Sequence, residues 1–176
     1  MMWRPNLVLC TWLLVATVTG HGAMAQVPNA KTDPDIKITR SGNFMVQDHI
    51  VIDLTHNIEW MRCSVGQIWS GAVCTGDAMP LNHDEVSKAI VIAQEQLGPG
   101  WRLPSREELE YLVCDICAPV KIELDSFPNT MAEPYWTGEI NGMASRHIWS
   151  VNFMTGHSYG RFFPYQRLMV RLVRDR

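Results

Sequence analysis

Strand-like and helix-like stretches of this chain occur in separate blocks along the sequence, which limits the folds that it can adopt. Residues 50–54 and 58–62 are rich in apolar side chains, and the turn-like Thr55-His56-Asn57 between them predicts a β-hairpin. Two helices are predicted next, and strand-like runs follow at residues 135–137, 147–153 and 168–174. Because strands and helices do not alternate, we expect an α+β domain with an antiparallel sheet.

The first predicted helix begins after Asn82 and ends before Gly98-Pro99-Gly100. Asparagine is a favoured N-cap, and glycine followed by proline is typical of a helix end. Between these limits the apolar residues recur with the spacing of an amphipathic helix: Val86, Ala89, Ile90, Ala93 and Leu97.

The second predicted helix begins at Ser105. Pro104 disfavours helical backbone at Leu103, and Ser105 is then the N-cap. Glu108 completes a capping box with Ser105, so we interpret Glu107 and Glu108 as first-turn caps rather than as acid–base catalysts. The apolar stripe of this helix consists of Leu109, Leu112, Val113 and Ile116.

Arg102, between Trp101 and Leu103, has two interpretations. It could bind an anion, but an arginine held between two apolar side chains is more typical of a half-buried ion pair, which we favour. Four tryptophans are predicted to anchor the core and the loops rather than to contact a ligand: Trp60, Trp101, Trp136 and Trp149.

Residues 1–25 are interpreted as a secretory signal peptide. Arg4 gives a positive start, residues 7–18 form an apolar run, and Ala23-Met24-Ala25 is a typical cleavage pattern. A retained membrane anchor is the alternative, but the apolar run is short against the ~20 residues of a spanning helix. Cleavage near Ala25 would place the protein in the periplasm or outside a bacterial cell.

The mature chain would then contain 151 residues, which is enough for one domain with its own core. Residues 26–44 are expected to form a flexible lead-in and residues 45–176 the domain. The mature chain carries 14 basic and 18 acidic residues, a formal charge of −4 without a basic run. Nucleic acid is therefore an unsuitable partner, and no membrane span is expected after cleavage.

Four cysteines remain after cleavage, and an even number in an exported chain predicts two disulfides. Three connectivities are possible, and local closure favours Cys63 with Cys74 and Cys114 with Cys117. A zinc site is disfavoured because the spacing lacks two short knuckles. A redox pair at Cys114 and Cys117 is disfavoured because reactive pairs stand at helix N-termini, whereas this pair falls at the C-terminal end of the second predicted helix.

Several separated motifs occur in the order seen in the Lcl C-terminal domain family, which is named for a bacterial collagen-like adhesin. They are Asp53-Leu54-Thr55, Glu59-Trp60-Met61, Trp101-Arg102-Leu103-Pro104-Ser105 with Glu108-Leu109, Phe127-Pro128-Asn129-Thr130, Tyr135-Trp136-Thr137, Trp149-Ser150-Val151-Asn152-Phe153 and Val170-Arg171-Leu172-Val173-Arg174. The chain resembles this family over roughly residues 45–174.

The resemblance implies a C-type-lectin-like fold of the variety shared with formylglycine-generating enzymes. In such folds the first and last strands pair, two helices flank the sheet, and a loop-rich second half offers a ligand face. Family members resemble surface or periplasmic binding modules, some of which adhere to sulfated glycans or proteins. Certain relatives vary the residues before the closing motif, which correspond here to residues 152–169.

Two activities of better-known relatives lack their residues here. Calcium-dependent lectins use Glu-Pro-Asn and Trp-Asn-Asp motifs, whereas this chain has Glu133-Pro134-Tyr135 and Trp149-Ser150. No acidic cluster in the sequence supplies the six to eight oxygen ligands that calcium takes. Formylglycine-generating enzymes hold copper through cysteines in the second half of the fold, but no cysteine follows Cys117. We therefore expect no metal, no cofactor and no catalytic residue.

The candidate ligand site lies in the C-terminal part of the chain, where aromatic and cationic residues crowd together without a clean strand period. It consists of His157, Tyr159, Arg161, Phe163, Tyr165 and Arg167. Tyrosine and arginine often anchor interfaces, and arginine with histidine suits sulfate or carboxylate groups. The alternative for Phe163 and its neighbour Phe162 is that they fill the core beneath a loop.

The sequence thus favours an exported, non-catalytic binding module for a glycan or an extracellular protein. The alternatives are an enzyme or enzyme-accessory protein of the formylglycine-generating fold, and a structural subunit of an envelope assembly. The sequence leaves the oligomeric state open.

Overall fold

The structure, a computed structural model, describes residues 36–38 and 43–176. The predicted signal peptide lies outside these residues. In chain order the elements are β1 (Ile36–Ile38), β2 (Phe44–Gln47), β3 (Ile50–Asp53), β4 (Ile58–Met61), β5 (Ile68–Trp69), β6 (Cys74–Thr75), α1 (His83–Leu97), α2 (Arg106–Tyr111), β7 (Pro134–Ile140), β8 (Ile148–Asn152), β9 (His157–Phe162) and β10 (Val173–Asp175). The protein is therefore an α+β protein, as predicted.

The largest sheet has five antiparallel strands in the order β1-β2-β3-β4-β10. The predicted hairpin forms its centre, with Val51 opposite Trp60 and Asn57 in the left-handed conformation of the turn. Strand β10 pairs with β4, and β1 pairs with β2 at the other edge. Among residues 36–38 and 43–176 the last strand thus pairs with β4 and not with the first described strand, unlike the pairing that the resemblance implies. Strand β1 also lies inside the segment that was expected as a flexible lead-in.

Two smaller sheets complete the β-structure. Strands β5 and β6 form a two-stranded sheet, and β7, β8 and β9 form a three-stranded one. Strand β8 was predicted to place Ile148 and Val151 on opposite faces, and it sends these residues into different core clusters. One cluster packs α2 against the large sheet, and the other packs α1 against Trp136, Leu168 and Leu172. Trp60, Trp101 and Trp136 are buried, which confirms their predicted role in the core.

The two helices begin where the sequence predicted. Asn82 caps α1 and Ser105 caps α2, each in a complete capping box. The end of α1 at Leu97 is also as predicted. Helix α2 is shorter than its apolar stripe indicated, because the chain after Tyr111 turns to pair with residues 121–122. Ile116, the last residue of that stripe, is 96% exposed.

The last third of the chain differs from the prediction in two strands. Strand β9 was not predicted, because its sequence lacks a clean alternation of polar and apolar residues; in the structure a register shift interrupts its pairing with β8. The predicted strand at residues 168–174 is a strand only from Val173 onwards. Before that, the segment contacts successive partners, as Leu168 bridges Leu81 and Met169 bridges Tyr135. A chain that changes partner at each step cannot form one regular ladder.

Candidate binding surfaces

Five of the six predicted site residues lie on β9 and the turn that follows it. We call the surface formed by His157, Tyr159, Arg161, Phe163 and Tyr165 the C-terminal face. His157, Arg161 and Tyr165 are exposed, whereas Tyr159 and Phe163 are partly buried. The C-terminal face therefore contains two partly buried rings and three side chains that a ligand can reach.

Arg161 and Tyr159 form the first pair of the C-terminal face. The guanidinium carbon of Arg161 lies 4.8 Å from the ring centroid of Tyr159, within the range of a cation–π contact. The Tyr159 hydroxyl lies 3.3 Å from Thr155 Oγ1, and the Tyr159 carbonyl accepts a hydrogen bond from Ser150 Oγ. Within residues 36–38 and 43–176, Arg161 has no carboxylate partner. Its guanidinium donors remain available to an anionic group.

Phe163 and Tyr165 form the second pair. Their rings are stacked, with centroids 5.3 Å apart and an interplanar angle of 9°. The ring of His147 packs on Phe163 at 4.3 Å, and Gln166 Oε1 accepts a hydrogen bond of 2.7 Å from the Phe163 backbone. Tyr165 is 72% exposed, so the outer ring of the stack faces solvent.

Gly160 lies at the centre of β9, where the backbone approaches its neighbours closely. A Cβ atom at this position would lie 2.6 Å from Asn141 Nδ2 and 3.0 Å from the Trp149 ring. The same Asn141 amide donates a 2.7 Å hydrogen bond to the Gly160 carbonyl. Only glycine allows this packing, which holds the strand in place between Tyr159 and Arg161.

The sixth predicted residue, Arg167, does not join the C-terminal face. Its guanidinium forms an ion pair with Glu85 on α1 and donates a 3.2 Å hydrogen bond to the Pro80 carbonyl. Phe162 also turns away and packs on Trp136, with ring centroids 6.1 Å apart. The core alternative is therefore confirmed for Phe162, while Phe163 contributes to the aromatic stack.

A second candidate surface, a concave one, lies beside α1, and the sequence did not reveal it. We call it the helix groove; it is a cavity of about 790 Å³ between α1, the residues after β4, and the β5–β6 hairpin. Its apolar lining includes Met61, Val65, Ile68, Met79, Ile92 and Leu172. The sequence contained one indication, since Ala89 and Ala93 are small residues on a helix face that was counted as core.

The wall of the groove opposite α1 depends on a disulfide and a glycine. Cys63 and Cys74 are bonded, with Cα atoms 5.5 Å apart, and they tie the β5–β6 hairpin to the end of β4. Gly66 has a positive φ of 96°, and a Cβ atom there would lie 2.6 Å from Met79 Cγ. The absence of a side chain at Gly66 therefore lets Met79 fold across the hairpin.

The second disulfide joins Cys114 to Cys117, with Cα atoms 5.3 Å apart. Both predicted pairings are thus present in the structure. The second pair lies in a turn beyond α2 rather than at the end of the helix, because α2 ends at Tyr111.

Arg102 has the structural role that the sequence favoured. Its guanidinium contacts both oxygens of the Glu108 carboxylate at 2.8 Å and Asp175 Oδ1 at 2.6 Å. The hydrogen bond from Arg102 lowers the pKa of Glu108, and the same bond raises the pKa of Arg102. This network ties the start of α2 to the last strand, so Arg102 is committed to the scaffold.

Arg171 is a buried cation that the sequence analysis did not single out. Its guanidinium donates hydrogen bonds to the carbonyls of Met61 and Arg62 and to the hydroxyls of Ser64 and Thr130. Burial lowers its pKa to about 10, so the group stays charged at neutral pH. Arg171 therefore fixes the residues after β4, which form the base of the helix groove.

Two further observations concern the described part of the chain. Residues 36–38 and 43–176 contain no group of three or more His, Cys, Asp or Glu side chains arranged to hold a metal ion. Within the same residues, neither helix has the length and apolar character needed to cross a membrane.

The family model of the Lcl C-terminal domain matches residues 49–174, which is most of the chain. The chain belongs to the Lcl C-terminal domain family. The C-terminal face lies within the matched residues of this Lcl domain, and so does the helix groove except for Asp48 at its rim. No curated protein and no solved structure matches the chain.

Proposed function

We propose that this Lcl domain protein is an exported, non-catalytic binding module that holds a glycan or protein ligand on its C-terminal face. The observation that carries the proposal is the arrangement of Arg161 on Tyr159 beside the exposed Phe163–Tyr165 stack. Tyrosine and arginine are enriched among the residues that dominate binding energy at protein interfaces. Two stacked pairs also lose little side-chain entropy when a ligand binds.

The charge of the C-terminal face favours an anionic ligand group. Arg161 has no carboxylate partner among the described residues, and His157 is exposed on the same strand. A guanidinium binds a carboxylate or a sulfate through paired, charge-assisted hydrogen bonds. A sulfated or carboxylated glycan would satisfy Arg161 and could place its rings on Tyr165, in line with the sulfated ligands expected from the family resemblance.

The fold and the location belong to the same proposal. We assign the α+β domain to the C-type-lectin-like folds, in which a binding face formed by the second half of the domain is the expected arrangement. Disulfides persist mainly in oxidising compartments, so the two cysteine bonds support a periplasmic or extracellular protein. A binding domain that is displayed outside the cytoplasm can meet glycans and proteins of surfaces, as an adhesive function requires.

The test is a binding screen of residues 26–176 on arrays of sulfated glycans, their desulfated counterparts and extracellular proteins. The tightest ligand is then titrated against Arg161→Ala and Tyr165→Ala by surface plasmon resonance. We expect each variant to bind at least about tenfold more weakly, because a charge-assisted hydrogen bond or a central aromatic contact contributes about 1.5–3 kcal/mol.

Lys88→Ala is the matched control, because it removes an exposed cation on α1, away from the C-terminal face. Its affinity should equal that of the unchanged protein. Equal loss of affinity in Lys88→Ala and Arg161→Ala would mean that only net charge matters. Full binding by both face variants would exclude the C-terminal face as the site.

A further inference from the structure

The helix groove has the size and depth of a small-molecule site. Its volume of about 790 Å³ falls within the range of about 300–1,000 Å³ that is typical of ligand pockets. The lining reaches the fully buried Leu172 and the buried Leu81, so the groove penetrates to the second core cluster.

The groove is preformed by the sequence of α1 and by the disulfide. Ala89 and Ala93 stand one turn apart on the helix face that lines the groove, and their small side chains leave the space open. Ile92 lies on the same face, and Ile68 and Met79 project from the opposite wall with at least half of each side chain exposed. Apolar side chains around an open cleft are a feature of binding sites rather than of ordinary surface.

Two backbone hydrogen bonds set the direction of the groove. Leu81 N–H donates to the Leu168 carbonyl near the start of α1, and Met61 N–H donates to the Leu172 carbonyl towards the end of α1. Arg167, Glu85 and Lys88 therefore line the first end of the groove. Asp48 and His49 line the second end, since His49 accepts a hydrogen bond from the residue after Met61.

The two ends of the groove differ in charge. At the first end, Arg167 is paired with Glu85, and Lys88 has no carboxylate partner within the described part of the chain, which leaves one net positive charge. At the second end, the Asp48 carboxylate lies 2.9 Å from His49 Nδ1, and that hydrogen bond lowers the pKa of Asp48. Arg62 donates a hydrogen bond to the Asp48 carbonyl, so the second end also has a cation and carries no net charge. An anionic group is thus attracted to the Lys88 end.

We propose that the helix groove is a second binding site, for a small amphiphile with an apolar chain or ring system and an anionic head group. The apolar part lies between Ile92 and Met79 and reaches towards Leu172. The head group lies at the Lys88 end, where the ammonium group neutralises it. This site is separate from the C-terminal face and does not depend on the function proposed for that face.

The test compares three probes that share one chain and differ in the head group: dodecanoate, dodecanol and dodecyltrimethylammonium. Dodecanoate and dodecyltrimethylammonium are titrated into residues 26–176 below their micelle concentrations, and dodecanol below its solubility limit. The readout is displacement of bound anilinonaphthalene sulfonate. We expect saturable binding of dodecanoate at one site per chain and binding of dodecanol that is about threefold to tenfold weaker. Dodecyltrimethylammonium should bind most weakly, because its charge opposes Lys88.

Two variants separate the apolar and the charged contributions. Ala89→Leu fills the groove with a good helix former and should weaken binding of dodecanoate by at least about tenfold. Lys88→Ala should weaken dodecanoate by about threefold to tenfold and leave dodecanol unchanged. Arg146→Ala, which removes an exposed cation outside the groove lining, is the control and should bind all three probes as the unchanged protein does. Circular dichroism and urea unfolding establish that each variant is folded.

Several outcomes would overturn the proposal. They are absence of saturable binding, equal affinity for the three head groups, or undiminished dodecanoate binding by folded Lys88→Ala. One further outcome that would overturn the proposal is measured by analytical ultracentrifugation. If the protein forms a dimer that Ala89→Leu abolishes, the groove is an interface between two copies, and the amphiphile site is excluded.

Discussion

The C-terminal face and the helix groove receive residues from the same stretch of chain, yet they use arginine in opposite ways. Arg161 rests on Tyr159 without a carboxylate partner among the described residues, while Arg167 is held by Glu85. The difference comes from α1, which brings a carboxylate to one residue and not to the other. An arginine in an aromatic-rich segment is therefore available to a ligand only if no distant element neutralises it.

The two surfaces also depend on different supports. The C-terminal face is held by the pairing of β8 with β9 and by the Asn141 amide on the Gly160 carbonyl. The helix groove depends on the Cys63–Cys74 bond and on Arg171, which fixes the residues after β4. A change that damages one surface should therefore leave the other intact, and variants can separate them.

The largest effect is expected from Arg171→Ala. The change leaves the carbonyls of Met61 and Arg62 without their buried donor and opens a cavity beside Phe127 and Tyr135. We expect the free energy of unfolding to fall by about 3–5 kcal/mol, since unpaired buried acceptors and a large cavity both cost free energy. Urea unfolding followed by tryptophan fluorescence measures this loss.

Arg171→Met is the control for volume, because it fills much of the same space without donating hydrogen bonds. It should restore part of the lost stability and no more. If Arg171→Met is as stable as the unchanged protein, the hydrogen bonds of the guanidinium are not what holds this region, and the contrast between the two supports disappears.

The next effect is that of removing one disulfide. Replacing Cys63 and Cys74 by alanine frees a loop of sequence separation 11, which should lower the free energy of unfolding by about 3 kcal/mol. The same change at Cys114 and Cys117, with separation 3, should cost about 2 kcal/mol because the closed loop is shorter. Urea unfolding of both double variants checks the order.

Dye binding to the helix groove is a second measurement that distinguishes the two disulfides. Loss of the Cys63–Cys74 bond should weaken binding of anilinonaphthalene sulfonate to the helix groove, because the hairpin wall is no longer tied to β4. Loss of the Cys114–Cys117 bond should not. A variant without Cys63 and Cys74 that binds the dye as before would show that the groove does not need its disulfide.

Much of the fold follows from local signals in the sequence. The caps Asn82 and Ser105 fixed where both helices begin, since an N-cap satisfies amides within its own first turn. The hairpin of β3 and β4 was equally local, with turn residues between two strands. The end of α2 could not be predicted from local signals, because the chain after Tyr111 leaves the helix to pair with residues 121–122.

The binding surfaces were less accessible to sequence reasoning. The composition of residues 157–167 pointed to a cluster of rings and cations, but it could not show that Glu85, 82 positions away from Arg167, pairs with that residue. The helix groove was missed because Ala89 and Ala93 fit an apolar stripe as well as a cleft. Whether a small residue is covered by a neighbour or leaves space depends on packing between distant segments.

Gly160→Ala should have an intermediate effect that is confined to the C-terminal face. The added methyl group would lie 2.6 Å from Asn141 Nδ2 and 3.0 Å from the Trp149 ring, so the strand or the loop at Asn141 must shift. We expect the free energy of unfolding to fall by about 1–3 kcal/mol, with weaker ligand binding at the C-terminal face. Binding of dye at the helix groove should be unchanged, and Gly142→Ala, where a Cβ has free space, is the control.

The smallest effect concerns the pH dependence of the groove side. His83 begins α1, its ring packs on Trp136 at 4.8 Å, and burial lowers its pKa below 6.5, partly opposed by Asp84. A base with a lowered pKa in the folded state contributes stability above pH 6.5 and loses it as the pH falls towards the folded-state pKa. When the pH falls from 7.5 to 5.5, the free energy of unfolding should thus decrease by at most about 1 kcal/mol more in the unchanged protein than in His83→Phe, since solvent screens a half-buried ring. Urea unfolding at both pH values measures this difference, and His157→Phe, on the exposed C-terminal face, should behave like the unchanged protein. Equal losses in the unchanged protein and in His83→Phe would show that acid sensitivity does not arise at the start of α1.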